Sequence, residues 1–496
     1  MADQRICDKS DTGSWIRRTL KILFNVHPSP RITLFFIAAS IKFIASSFSY
    51  SGYLLKNPVL LVSGIIVWLI WFATLLFIAV PATDQFLRKQ LHWLKPTAII
   101  IVVVLLLGGI VEIIGLSVIN TGIFQDRQPE GRISELIATI DDAFVYNDST
   151  ALTQQATENL LEGKNPYAEA NIISAMEEAN GSYDKVTPLR EGRFVEVFPY
   201  PETEEIKQLW QEAVNNPTSV PPEFETRLNY PAGSFLLAAP FFLLGVDNLR
   251  VVNLIYALPI LAYVVTRAPH SLRLLLIAAL LTSLEIWNLL ASGGAGFLAF
   301  LFLLLAWLLP KKHLWLSALF MGVAIATKQI AWFFLPFYVI LIFKNLGTKK
   351  MLSVLVIVLT VFLAANTQFI ISDSKLWMSS VLAPMTGNLF PWGIGIVSLV
   401  SGGVFEIQSP LVFSVLQIIV CVSALVWYFN NCLRYPNSGL LLAVLPLFFA
   451  WRSLWAYFFY IDIIILASVI INEYRFKAPA QPAAALVSPG DGQRTP

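Results

Sequence analysis

Residues 58–80 read PVLLVSGIIVWLIWFATLLFIAV, and this run of 23 residues contains no charged side chain. Apolar runs of 18 or more residues are long enough to cross the hydrocarbon core of a bilayer as a helix. Similar runs occupy Thr97–Ile119, Met351–Ile371 and Leu411–Trp427. The whole chain is 56% hydrophobic and 13% charged, whereas soluble domains carry about 25% charged residues. The sequence therefore predicts an all-α, polytopic membrane protein.

Charge and cysteine content exclude several other classes of protein. The formal net charge of +2 by itself says nothing about nucleic acid, because the charges are divided sharply along the chain, and for a membrane protein of this composition we expect no nucleic-acid partner. Cys7, Cys421 and Cys432 have neither the spacing of a metal site nor that of a disulfide framework. The first thirty residues are polar and basic without an apolar core, so no removable signal peptide is predicted.

Basic residues near the apolar runs predict the orientation of the chain. The N-terminal segment carries six Lys and Arg residues before residue 32, which places it in the cytoplasm by the positive-inside rule. Residues 120–231 form a long hydrophilic loop with 20 Asp and Glu against 8 Lys and Arg. Later basic clusters, at Arg267/Arg273, Lys311/Lys312 and Lys344/Lys349/Lys350, all face the cytoplasm only if this loop is extracytoplasmic.

This orientation also requires that the apolar segment Ala232–Gly245 does not cross the membrane. Fourteen residues of helix span roughly 21 Å, against a hydrocarbon core of about 30 Å. We therefore predict a re-entrant or interfacial helix there and at Ile394–Val404, and about twelve transmembrane helices with both termini inside. The predicted spans lie near 32–49, 58–80, 97–119, 251–266, 272–290, 295–309, 314–327, 331–344, 351–371, 410–430, 439–450 and 455–471.

Three regions follow from this pattern. Residues 1–95 are the cytoplasmic N-terminus with an accessory transmembrane hairpin, and 96–471 are the main transmembrane unit, which includes the extracytoplasmic loop 120–231. Residues 472–496 are a Pro- and Ala-rich cytoplasmic tail, predicted to be disordered. Within the loop, Gly131–Ile140, Ser149–Glu162 and 203–215 are predicted helices.

The histidines restrict the chemistry available on the extracytoplasmic face. His27, His92, His270 and His313 all fall on predicted cytoplasmic segments. Chemistry on the other face must then use carboxylates, Lys and Arg, and the only plausible metal ions there are hard cations bound by oxygen.

Asp148 is the first candidate catalytic residue. It lies in the hydrophilic loop that follows the predicted span 97–119, at the start of the helix whose apolar residues Leu152, Ala156 and Leu160 recur every fourth position before Gly163. A carboxylate at a membrane surface is a candidate general base, but Asp is also a favoured N-cap residue. Asp141 and Asp142, a few residues earlier, are alternative bases or solvated loop acids.

Charged residues in the later spans are candidates for substrate binding. Lys328, followed by Gln329, interrupts an apolar stretch, where a lysine usually faces protein or a partner. Arg452 lies between two spans and has the bidentate geometry that suits phosphate, although an interfacial arginine in an aromatic belt is the alternative. Glu285 is an intramembrane acid and therefore a candidate functional residue.

These segments resemble, in their order, the C-type (GT-C) superfamily of integral membrane glycosyltransferases. The acid Asp148 is followed by a helix ending in GKNPY (163–167), then by NYPAGSFLLAAPFFLLG (229–245) and by ATKQ (326–329). The closest resemblance is to bacterial transferases of the mannosyltransferase kind that use polyprenyl-phosphate sugars. Ala232 replaces the second proline of the family's Tyr-Pro-Pro segment, and the next outer loop, 291–296, lacks the acid that many relatives carry there.

The resemblance implies sugar transfer with inversion, from a polyprenyl-phosphate donor to a glycan, lipid or protein acceptor, in the bacterial plasma membrane with the active site on the extracytoplasmic side. Asp148 would be the base, Lys328 and Arg452 would hold the leaving phosphate, and Gln329, Tyr167 and Tyr230 would contact the substrates or surrounding membrane lipid. A divalent cation such as Mg or Mn is possible. Glu285 could replace the missing acid.

Two other functions are compatible with the same sequence. A transporter or flippase of a lipid-linked or anionic solute would explain the spans and the cations, but it does not explain why the chain has a 112-residue hydrophilic loop. A catalytically inactive relative of the transferases would explain the missing acid.

The predicted orientation can be tested by cysteine labelling. In a cysteine-free background, single cysteines near Glu178 and Trp377 should react with an impermeant thiol reagent added outside, because the positive-inside rule places both segments there. Cysteines at Ser271 and Thr348 should not react. Outside labelling at Ser271 would mean that Ala232–Gly245 spans the membrane and that Lys328 lies on the opposite face.

Overall fold

The computed structural model of the protein describes residues 29–88, 146–217 and 219–473. Asp141, Asp142, the predicted span 97–119, the predicted helix 131–140 and all of the predicted C-terminal tail beyond residue 473 lie outside these ranges. The structure is mostly helical, as predicted. Its α-helices are α1 (Pro30–Leu54), α2 (Pro58–Ala79), α3 (Thr83–Arg88), α4 (Asp148–Leu161), α5 (Ile172–Glu178), α6 (Thr203–Val214), α7 (Gly233–Leu236), α8 (Ala239–Phe242), α9 (Leu249–Arg267), α10 (Arg273–Leu281), α11 (Leu284–Ala291), α12 (Ala295–Leu308), α13 (Leu314–Thr327), α14 (Phe334–Leu346), α15 (Thr348–Ser372), α16 (Ser374–Val381), α17 (Ala383–Thr386), α18 (Ser398–Ser401), α19 (Leu411–Asn431), α20 (Ser438–Val444) and α21 (Ile461–Ser468).

Short irregular helices and two strands connect these elements. The strands β1 (Trp392–Gly393) and β2 (Arg452–Ser453) pair in parallel, with Trp392 opposite Arg452. The 3₁₀ helices are Tyr183–Lys185, Gly192–Phe194, His270–Leu272, Gln329–Phe333, Leu445–Phe449 and Trp455–Tyr457, and the π-helix is Val469–Glu473.

Within the described residues, seven helical segments are long and apolar enough to cross a membrane, or eight if the pair 270–281 and 285–291, bent by 59°, is one span. The seven segments are Pro30–Leu54, Pro58–Ala79, Leu249–Arg267, Gln329–Leu346, Thr348–Ser372, Leu411–Asn431 and Trp455–Glu473. Predicted spans at 295–309, 314–327 and 439–450 are the shorter apolar helices Ala295–Leu308, Leu314–Thr327 and Ser438–Phe449. The protein is therefore a polytopic helical membrane protein, while the count of twelve stays a prediction.

The segment Ala232–Gly245 forms two short helices, α7 and α8, instead of one continuous helix. Gly233 lies against the backbone of α13, where an added Cβ would come within 2.5 Å of the Ala326 carbonyl oxygen. The amide of Ala232 donates to Oδ1 of Asn366 at 2.9 Å. This segment is consequently fixed against α13 and α15, next to Lys328.

The hydrophilic loop has a hydrophobic core of its own. Two of its predicted helices are confirmed, 149–162 as α4 and 203–215 as α6. Their buried side chains pack with those of α5 and with Phe369, Val381 and Phe390 from later parts of the chain. The loop domain is thereby packed onto the end of α15 and the segment that follows it.

Ion pairs fix the N-terminal hairpin to the C-terminal end of the chain. The Lys42 triad consists of Lys42, Asp462 and Glu285, with Nζ at 2.8 Å from the Asp462 carboxylate and 3.2 Å from that of Glu285. Arg31 pairs in the same way with Asp84 at 3.0 Å and with Glu473 at 2.6 Å. The hairpin predicted as accessory thus shares one hydrophobic core with α21.

The Lys42 triad predicts a large effect of neutralising its lysine. Lys42→Met leaves two carboxylates without a counter-charge in apolar surroundings, and removing one partner of a buried ion pair costs about 3–5 kcal/mol. The melting temperature of the protein in lipid nanodiscs should fall. Neutralising all three residues, with Asp462→Asn and Glu285→Gln added, should restore most of it.

Lys56→Met is the matched control for this lysine substitution. Lys56 lies 4.0 Å from Glu202, with the two side chains 81% and 79% exposed, and exposed pairs contribute about 0–1 kcal/mol. A Lys42→Met protein that melts at the wild-type temperature would contradict the structural importance of the triad.

Candidate active site

Asp148 occupies the first turn of α4, but it is not the residue that caps this helix. The N-cap is Asn147, whose side-chain oxygen accepts hydrogen bonds from the amide of Thr150 and the hydroxyl of Ser149, both at 2.9 Å. The carboxylate of Asp148 accepts from the amide of Ser149 at 2.6 Å and, across 39 positions of sequence, from the amide of Thr187 at 2.9 Å. The alternative that Asp148 merely caps α4 is therefore wrong.

The surroundings of Asp148 favour its protonated form. Burial raises the pKa of the Asp148 carboxyl, and this effect outweighs the hydrogen bonds from Thr187 and Ser149 and the positive charge of Arg452, which lower it. A carboxyl whose pKa is shifted upward is a stronger base than an ordinary aspartate.

Arg452 is the second charged residue of the candidate site. Together with Ser453 it forms β2, and its guanidinium donates to the carbonyl of Phe390 at 3.4 Å. Its charge acts on Asp148 and on Tyr200. The pKa of Tyr200 is raised to about 12 by burial, so its hydroxyl keeps its proton at neutral pH. The pairing of β1 and β2 therefore positions a cation whose charge acts on the candidate base.

Lys328 lies where α13 ends and has an extended backbone, with φ −154° and ψ 139°. Its ammonium group lies 4.9 Å from the centre of the Tyr230 ring. Tyr457 interacts electrostatically with both Tyr230 and Arg452. Electrostatic interactions therefore link Lys328 to Asp148 through Tyr230, Tyr457 and Arg452, and these five residues are called the cluster below.

The 291–296 loop lies next to this cluster. Gly293, at φ +69°, lies against Tyr146 and Thr150 at the start of α4, and an added Cβ would lie 3.1 Å from each of their side chains. A Cβ at Gly296 would lie 3.0 Å from the nitrogen of Lys328. Small residues in this loop allow its backbone to pass between α4 and Lys328.

Two of the predicted substrate-binding residues support the backbone of this cluster. The hydroxyl of Tyr167 donates to the carbonyl of Tyr230 at 2.9 Å. The side-chain amide of Gln329 donates to the carbonyls of Asn229 and Val381 and is buried. Glu285 is the acid of the Lys42 triad, where it binds Lys42 at 3.2 Å.

Some residues of this cluster had no clear signal in the sequence. Thr187 reaches Asp148 only through the folding of the loop, and Tyr200 lies in a Pro-Tyr-Pro stretch that indicates an irregular connection. Tyr457 is one of several aromatic residues around Arg452, where an aromatic belt is expected in any membrane protein.

Among the described residues, no group of three or more His, Cys, Asp and Glu side chains is arranged to hold a metal ion. Both carboxylate oxygens of Asp148 already accept backbone amides.

Comparisons with models of known protein families, with curated proteins and with solved structures found no match to this chain.

The raised pKa of Asp148 predicts a pH dependence of stability. The folded chain holds this proton more tightly than the unfolded chain, so the stabilisation is complete below the unfolded pKa and is lost as the pH rises through the folded pKa. Asp148→Asn cannot titrate. The wild type should therefore lose stability relative to this variant as the pH rises above about 4, measured by thermal unfolding in nanodiscs.

Asn147→Ala is the control for a change in the same turn. It removes the cap and should cost about 1 kcal/mol at every pH. A constant difference between wild type and Asp148→Asn across the pH range would contradict the shifted pKa.

Proposed function

We propose that this protein is an inverting membrane glycosyltransferase of the GT-C type, which transfers a sugar from a polyprenyl-phosphate donor to an acceptor hydroxyl. The observation that carries the proposal is the grouping of one carboxylate, Asp148, with two cations, Arg452 and Lys328, contributed by three distant parts of the chain. A base beside a cationic anion-binding surface is what direct displacement of a phosphate requires.

In the proposed reaction, the acceptor hydroxyl attacks the anomeric carbon from the side opposite the phosphate. Asp148 takes the hydroxyl proton, the new carbon–oxygen bond forms, and the bond from the anomeric carbon to the phosphate oxygen breaks. The electron pair leaves with the polyprenyl phosphate. Arg452 offers two parallel N–H donors to that phosphate and Lys328 a point charge, so both stabilise the charge as it develops.

The shielded setting of Asp148 supports its role as the base. General bases work best when their pKa lies near the operating pH, and the pKa of Asp148 is raised toward that range. Tyr200 and Tyr457 both interact electrostatically with Arg452, and partly apolar surroundings of this kind strengthen the attraction between a guanidinium and a phosphate.

A transporter of a lipid-linked or anionic solute is the second candidate, and the Lys42 triad is the observation that favours it. Ionisable residues inside a membrane often belong to ion or proton pathways. The triad is also explained as a structural clamp, because each of its three residues lies on a different helix and is paired.

One assay separates the two functions. Purified protein in proteoliposomes is given a panel of radiolabelled polyprenyl-phosphate sugars, with release of polyprenyl phosphate and movement of label into the lumen measured in parallel. The transferase should release polyprenyl phosphate, and Asp148→Asn should lower kcat by about 10²–10⁴-fold while the protein stays folded. Asp141→Asn and Asp142→Asn are the matched controls and should have smaller effects.

Two results would contradict the proposal. The first is label movement without release of polyprenyl phosphate, which would support the transporter. The second is a folded Asp148→Asn protein with wild-type turnover, which would pass the role of base to Asp141 or Asp142.

A further inference from the structure

Three aromatic side chains extend from the candidate base toward the end of the N-terminal hairpin. This aromatic row consists of Tyr200, Trp392 and Tyr53. The Tyr200 and Trp392 rings are 4.8 Å apart with 37° between their planes, and the Trp392 and Tyr53 rings are 4.5 Å apart at 76°. All three side chains are partly exposed. They come from a loop, a strand and the last turn of α1, so tertiary packing alone brings them together.

The aromatic row begins at the charged residues of the candidate active site. Trp392 is the direct neighbour of Arg452 in the parallel pair β1–β2, and aligned residues on adjacent strands present their side chains on the same face. Tyr200 interacts electrostatically with both Asp148 and Arg452. The row is therefore joined to the candidate site by the pairing of Trp392 with Arg452, and Tyr200 also interacts with the candidate base.

The far end of the row has a polar border. Lys56 and Glu202 lie 4.0 Å apart there, and both are highly exposed. Glu202 interacts electrostatically with Tyr53, and the phenol hydroxyl of Tyr53 adds a further hydrogen-bonding group. Partly exposed aromatic side chains bordered by charges and hydroxyls suit a ligand that has both an apolar face and a polar edge.

We propose that the aromatic row is the acceptor subsite and that the acceptor is a glycan. A pyranose or furanose ring presents C–H groups on its faces and hydroxyls at its edge, so it can stack on Trp392 while its hydroxyls bond the border. A polyisoprenoid chain has no polar groups that could hydrogen-bond Glu202 and Lys56. The assignment of the bound glycan as the acceptor rests on the proposed function, whereas the binding of a glycan to the row does not depend on it.

Binding can be measured without any donor. The full-length protein in nanodiscs is mixed with linear trisaccharides of mannose, of arabinose and of N-acetylglucosamine, and saturation transfer to the sugar protons is recorded by NMR. At least one trisaccharide should receive saturation at its ring C–H protons. Trp392→Leu should weaken its binding by about tenfold or more and Trp392→Phe by less, since an aromatic contact contributes up to about a factor of ten beyond burial.

Trp315→Leu is the matched control, because Trp315 is 61% exposed on α13 and no aromatic contact of the row includes it. It should leave binding unchanged. Thermal unfolding of each variant checks that a loss of binding is not a loss of fold.

Three results would overturn the inference. In the first, none of the trisaccharides receives saturation from the wild-type protein. In the second, saturation transfer in Trp392→Leu equals that in the wild type. In the third, a short polyprenyl phosphate displaces the bound trisaccharide, which would assign the row to the donor lipid. Binding that depends on Trp392 in a protein that never releases polyprenyl phosphate would refute the transferase and leave the glycan site standing. In an active protein, Trp392→Leu should raise KM for the acceptor more than it lowers kcat.

Discussion

Lys42 shares its charge between two carboxylates, Asp462 and Glu285, inside the main hydrophobic core. A lone charge in such surroundings costs several kcal/mol, so the three side chains hold one another in place. The helices that carry them, α1, α11 and α21, are thereby fixed together. α11 continues into the 291–296 loop, and α21 follows directly after the segment that contains Arg452 and Tyr457. The geometry of the candidate site thus depends on an ion cluster that contributes no group to it.

The candidate site is built where helices are interrupted. α13 ends just before Lys328, and α7 and α8 replace a continuous helix after Tyr230. Backbone groups freed by such breaks have no water to bind inside a membrane and need partners within the protein. Gln329 supplies donors to two carbonyls and Asn366 an acceptor to one amide. These amides make it possible for an irregular, polar backbone to lie among apolar helices.

The charged residues of the candidate site were singled out from the sequence, and their roles there stay predictions. Asp148, Lys328 and Arg452 stand out because a charge beside a long apolar run has few structural explanations. Gln329 and Tyr167 occur in the same motifs and were predicted to contact substrate, but their hydrogen bonds go to the backbone. Glu285 was predicted from its place in a span, and its partner Lys42 lies in the N-terminal hairpin, where nothing in the local sequence indicates the pairing.

The sequence by itself determined the elements whose cause is local. The length of the apolar runs predicted the membrane-spanning helices. The apolar periodicity and the end signals of α4 and α6 predicted the bounds of these two helices to within a residue, since helix formation depends on neighbours three and four positions away. The tertiary structure alone decided which charges pair and which rings meet. Lys42 and Asp462 are 420 positions apart, and β1 and β2 are only two residues long. Contacts of this kind arise from the packing of complete helices, and helical periodicity shows which face of a helix is buried but not which distant residue packs against it.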